Sequence, residues 1–198
     1  LFLTFFQAED SYGAGCVPPS GMVSWWGGDN NALDMVGGNN GTLMNGVTFA
    51  PGVVGEAFSF DGTSGYVEVP DNAALRIAGT VSISAWVKRN RFGVDIIAEK
   101  GGDWAHDETN YGLGLHSINN NMFYFYFNGG WRGTDGVNDL NWHHYAVVAT
   151  NGDANPKFYI DGVESASLYS GGIGTINLYP STLPLRIGAQ IGKGSWIY

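Results

Sequence analysis

The chain has 198 residues with nine Lys and Arg against 18 Asp and Glu, for a formal net charge of −9. Its cations are scattered and form no basic stripe, which argues against nucleic acid and anionic membrane surfaces as partners. Charged residues make only 14% of the sequence and 31 are Gly, the profile of an exported β protein rich in tight turns, and no apolar run approaches the roughly 18 residues of a membrane span.

The first 19 residues read as an apolar strand followed by a linker that Pro18 and Pro19 stiffen. LFLTFF alternates, with Leu1, Leu3 and Phe5 on one side and Phe2, Thr4 and Phe6 on the other. It is either the remnant of a signal peptide or a strand that belongs in a sheet. Cys16 is the single cysteine, so no internal disulfide forms; it is either an inert half-buried thiol or a site of intermolecular pairing. Next comes the loop GGDNNALDMVGGNNG. Its Asp29, Asp34 and Asn39 offer hard oxygen donors that suit one Ca²⁺, and the same residue types also simply make turns.

From there the chain is a succession of strand candidates: MVSWW (22–26), TLMNGVTFA (42–50), AFSFDG (57–62), YVEV (66–69), TVSISAWVKR (80–89), DIIAEK (95–100), NYGLGLHS (110–117), NMFYFYFN (121–128), WHHYAVVAT (142–150), KFYIDG (157–162), VESASLY (163–169) and PLRIGAQ (184–190). Gly-rich or Asn-rich punctuation separates nearly all of them. This spacing predicts an all-β, two-sheet antiparallel sandwich of the jelly-roll kind, in one domain over 20–198. Alternation assigns faces. Phe123, Phe125 and Phe127 share the core side, as do Val81, Ile83, Ala85 and Val87, and Phe158 with Ile160; His143 and His144 must point to opposite sides.

GEAFSFDGTSGYVEVPDNAAL, TVSISAWVKR, LNWHHYAVVATNGDANPKFYIDGVE and LRIGAQ, in that order, resemble the laminin G-like, concanavalin A-like jelly-roll superfamily of bacterial extracellular proteins, over about residues 20–190. The resemblance implies two curved antiparallel sheets, a role outside the cell, and in some relatives a calcium site. It also implies a last strand of the form F-x-G-x-I-D-E-V-x-I-Y, where this sequence reads GAQIGKGSWIY. A sandwich without that strand exposes an unpaired groove, which Leu1–Phe6 could fill in its own molecule or in a neighbour's.

Catalysis finds little support. Glu99, Asp103, Asp107 and Glu108 fall in EKGGDWAHDET, which reads as a solvated turn; no E-x-D-x-x-E strand signature and no nucleophile elbow is present. Binding is better served. Trp86, Trp104, Tyr111, Tyr124, Tyr126 and Trp131 read as an outward aromatic set, with Asn128 and Asp135 beside it to take hydroxyls, which suits a sugar. Those aromatics could equally pack against their own loops. The expected function is a non-catalytic, extracellular binding or adhesion module whose partner is a glycan or a cell-surface or matrix protein. The alternative is a filament subunit that donates Leu1, Phe2, Leu3, Phe5 and Phe6 to copies of itself by β-augmentation.

Overall fold

The computed structural model describes residues 18–102, 108–117, 121–172 and 174–190, together with the backbone of a strand at Phe2–Thr4. Strands are numbered along the chain. One sheet has seven, in the spatial order β13 (Val163–Glu164), β12 (Lys157–Ile160), β11 (Trp142–Thr150), β6 (Thr80–Lys88), β1 (Phe2–Thr4), β4 (Glu56–Ser59) and β3 (Thr48–Pro51). The other has eight: β14 (Tyr169–Gly172), β10 (Gly130–Thr134), β9 (Phe123–Phe127), β8 (Thr109–Leu115), β7 (Asp95–Gly101), β15 (Leu185–Ile187), β5 (Tyr66–Val69) and β2 (Thr42–Met44). Pairing is antiparallel in both, as expected for the sandwich.

The core lies between the sheets and follows the period of two. Phe123, Phe125 and Phe127 from β9 face Val81, Ala85 and Val87 from β6 and Phe158 from β12, all buried. Phe123 packs against Tyr145 and Phe158 with ring centroids 4.9 and 5.1 Å apart. Each such side chain contributes about 1.5–3 kcal/mol relative to leaving it in water. On β11 the two histidines do part: His143 registers with the inward Val87, and His144 with the outward Trp86, ring centroids 5.4 Å apart.

Turn chemistry sets where strands stop. TLMNGVTFA is not one strand. Asn45 (φ 53°) and Gly46 (φ 83°) take the left-handed region, and the halves on either side join different sheets as the edge strands β2 and β3. MVSWW contributes only a bridge between Trp26 and Asp34. The FDG motif is a carboxylate-centred turn: Asp61 Oδ1 accepts the backbone N–H groups of Thr63, Ser64 and Gly65, each at 2.9 Å, and these bonds hold its pKa far below the usual carboxylate range. In the IDG motif, Asp161 and Gly162 form the two-residue loop between β12 and β13.

The N-terminal strand sits inside its own sheet. Phe2 and Leu3 register with Ser59 and Phe58 of β4 on one side, and Phe2, Leu3 and Thr4 with Lys88, Val87 and Trp86 of β6 on the other. Of the two placements expected for this strand, this is the one in its own molecule. The slot is filled by the same chain, whose tether gives the intramolecular partner the advantage of effective concentration. Leu1, Phe5 and Phe6 lie outside the described residues.

Candidate functional site

The outer face of the eight-stranded sheet carries a row of side chains in register: Glu68, Arg186, Glu99, Gly112, Tyr126 and Trp131, from β5, β15, β7, β8, β9 and β10. On β5 and β15 its members alternate with core residues, Glu68 between Val67 and Val69 and Arg186 between Leu185 and Ile187. The row has an aromatic half and a charged half.

Glycines make the aromatic half possible. A Cβ at Gly112 would fall inside the Tyr126 ring, one at Gly114 against Tyr124, and one at Gly171 inside the Trp131 indole. All three rings therefore lie across the neighbouring strand, and Tyr124 and Tyr126 stand 5.6 Å apart. Tyr126 is buried, whereas Tyr124 and Trp131 are half-buried and keep part of their surface in solvent. Burial first, then the nearby Glu99 carboxylate and Tyr124, push the Tyr126 hydroxyl well above the ordinary phenol range, so it stays protonated. In the charged half, Arg186 Nη2 donates to Glu68 Oε2 at 3.0 Å and its guanidinium stacks 4.4 Å from the Tyr66 ring centroid. The aromatic half can stack a sugar ring, and the guanidinium–carboxylate pair, several strands further along the same face, can bond the hydroxyls of another unit of an extended glycan.

The expected aromatic set divides. Tyr124, Tyr126 and Trp131 share this face. Tyr111 does not: it is buried among the core residues and its hydroxyl donates to Leu75 O at 2.9 Å. In YGLGL it falls on the same period as Leu113 and Leu115, so its inward direction was readable. Trp86 lies on the outer face of the other sheet, and Asn128 sits in the β9–β10 turn at the end of the sandwich. Asp135 accepts the Tyr169 hydroxyl at 2.6 Å. Trp104, Asp103 and Asp107 lie outside the described residues. Glu99 corrects the solvated-turn expectation, since it belongs to β7 and is fully buried. Glu68 and Arg186 were missed, although the alternation of YVEV and PLRIG carries the signal.

The expected calcium loop is closed on itself. Asp34 Oδ1 accepts the backbone N–H groups of Trp25 (2.8 Å) and Val36 (3.0 Å), and Oδ2 accepts those of the Asn39 backbone (2.9 Å) and side chain (3.2 Å). Burial works to raise the Asp34 pKa, but the N–H donors of Trp25, Val36, Asn39 and Gly37 outweigh it and hold it below the usual range. Asp29 Oδ1 accepts the Glu56 N–H at 2.9 Å. A Cβ at Gly37 would meet Val23 O, Asn39 Nδ2 and Asp34 Oδ2, so backbone shuts the space beside the carboxylate. Ca²⁺ needs about six to eight oxygen ligands, and N–H dipoles already aimed at both Asp34 oxygens would repel it. The donors at Asp34 and Asn39 do not fit a cation. Among the described residues no three of His, Cys, Asp and Glu come together as a metal site.

A sequence profile described as the concanavalin A-like lectin/glucanases superfamily, in its laminin G-like form, matches residues 61–196, more than half of the chain. The chain belongs to this family. The match begins at Asp61 of the FDG turn and spans every strand of both sheets from β5 to β15; β1, β2, β3 and β4 precede it, yet pair with matched strands or with one another. Family membership accounts for the antiparallel sandwich and makes a binding module the coarse functional class. No curated protein is similar enough to refine that class. Among the described residues no helix is long and apolar enough to cross a membrane.

Proposed function

We propose that the chain is an extracellular, non-catalytic module that binds a glycan on the outer face of its eight-stranded sheet. The observation that carries this reading is the half-buried Tyr124 and Trp131, seated over Gly114 and Gly171 on the same outer face that carries the Arg186–Glu68 ion pair. Stacking on an aromatic plane suits the apolar face of a sugar ring, and charge-assisted bonds suit its hydroxyls. A flat protein partner is served less well, because the middle of the row, at Glu99, Gly112 and Tyr126, is already buried and offers little apolar area. Export is supported by low charge and abundant turn residues. The ligand is then carried by a cell surface or matrix, and recognition serves adhesion.

A glycan array probed with wild type, Tyr124→Ala and Trp131→Ala tests this. Sugar-dependent signal that either substitution weakens is the expected result; absence of any sugar-dependent signal on the wild-type protein would remove the proposal.

A further inference from the structure

At one end of the sandwich three segments meet: the β9–β10 turn at Asn128 and Gly129, the turn after β11 at Asn151 and Gly152, and residues 175–179. They bound a notch of about 820 Å³, within the size range of small-molecule sites. TINLY (175–179) belongs to no ladder, yet it alternates like a strand. Ile176 and Leu178 point into the core, while Thr175, Asn177 and Tyr179 face out, with Tyr179 51% exposed.

The walls are fixed by hydrogen bonds. The Asn128 N–H donates to Asn177 O (3.3 Å), the Gly152 N–H to Ile176 O (2.8 Å) and the Leu178 N–H to Asn151 Oδ1 (3.0 Å). Behind them the buried Arg132 guanidinium donates to the carbonyls of Ala154 (3.0 Å) and Gly174 (2.6 Å), tying two of the segments together. Such pre-organisation reduces the entropy a ligand must overcome.

Of the polar side chains in the lining, Asn151 serves the fold and the others do not. Among the described residues, the side chains of Asn128, Thr175, Asn177 and Tyr179 make no hydrogen bond, and Asn128 Oδ1 is held out of water without a donor. The lining contains no Asp, Glu, Lys or Arg. A Cβ at Gly129 or Gly152 would touch nothing, so the space above both turns is open to an incoming ring.

We propose that this notch is a second binding site, for a neutral, hydroxyl-rich ring such as one pyranose unit. Tyr179 supplies the stacking face, and Asn128, Asn177 and Thr175 supply neutral donors and acceptors for hydroxyls. A carboxylated sugar is disfavoured, since it would lose water without gaining a cation. The site does not depend on binding at the sheet face.

The test is titration of ¹⁵N-labelled protein with methyl glucoside, methyl galactoside and N-acetylglucosamine, with glucuronate as the charged counterpart, followed by amide NMR. At least one neutral probe is expected to shift the side-chain NH₂ signals of Asn128 and Asn177 and the amides of Gly129 and Gly152. Tyr179→Ala should weaken that binding about tenfold and Trp131→Ala should leave it unchanged. Glucuronate should bind at least about tenfold more weakly than the best neutral probe. The proposal is overturned if no neutral probe moves these signals, if Tyr179→Ala binds like wild type, or if glucuronate binds equally well. Shifts confined to the surroundings of Trp131 would overturn it too, while leaving the sheet-face proposal standing.

Discussion

The Asp34 loop and the notch around Asn128 are made of the same material, Asn with Gly and other short polar residues, and use it in opposite ways. In the loop, both Asp34 oxygens accept N–H donors from three stretches of backbone and the Gly37 Cα closes the remaining space. In the notch, the side chains of Asn128, Asn177 and Thr175 make no hydrogen bonds among the described residues and the glycines leave open space. A polar cluster that satisfies itself is part of the fold; one that leaves its groups uncommitted is available to a ligand. Composition does not separate the two, which is why the loop looked like a calcium site in the sequence.

The largest effect that can break this contrast is Asp34→Ala. Stranding the N–H groups of Trp25, Val36 and Asn39 should cost on the order of 3 kcal/mol, which for a chain of this size lowers Tm by about 6–12 °C in a calorimetric scan. Chelator should leave the wild-type Tm unchanged, because no ion is needed at Asp34. Next, Gly37→Ala should destabilise by about 1–3 kcal/mol, since its new methyl group meets Val23 O and the Asn39 amide.

Acidity sharpens the contrast in a different way. The Asp34 pKa is depressed in the folded state, so its contribution is present above about pH 4, the ordinary carboxylate value, and is lost as pH falls through the folded value. Asp34→Asn should therefore flatten the acid limb of a Tm-against-pH curve. His143 runs the other way. Its Nδ1 lies 2.7 Å from Asp161 Oδ2 and its Nε2 3.0 Å from Asp139 Oδ1; burial works to lower its pKa, but the two carboxylates raise it overall. Its contribution is complete below about pH 6.5 and fades as pH rises through the raised value, and His143→Gln should remove well under about 1 kcal/mol at pH 6. The smallest effects belong to the notch. Asn128→Ala and Tyr179→Ala should change stability by less than about 0.5 kcal/mol.

Strand faces were legible in long alternating runs such as MFYFYF and TVSISAWVKR, because a buried sheet face imposes a period of two. The same rule places Tyr111 inward, against its reading as an outward aromatic, and Glu68 and Arg186 outward. Other features lay beyond local pattern. Glu99 stands next to turn residues in EKGGD, and only pairing of β7 with β8 and β15 shows that it is central. TINLY alternates too, but it joins no ladder, and its partners at Asn128 and Asn151 are distant in sequence. The place of Phe2–Thr4 between β4 and β6 is likewise a long-range fact: LFLTFF shows that a strand wants covering, not which sheet covers it.

The central claim, a glycan held on the sheet face, is tested most directly by calorimetric titration of the strongest array ligand into wild type and Trp131→Ala. The account predicts measurable binding to wild type that weakens about tenfold or more in the variant while Tm stays the same. Equal affinity of Trp131→Ala and wild type for that ligand would contradict it.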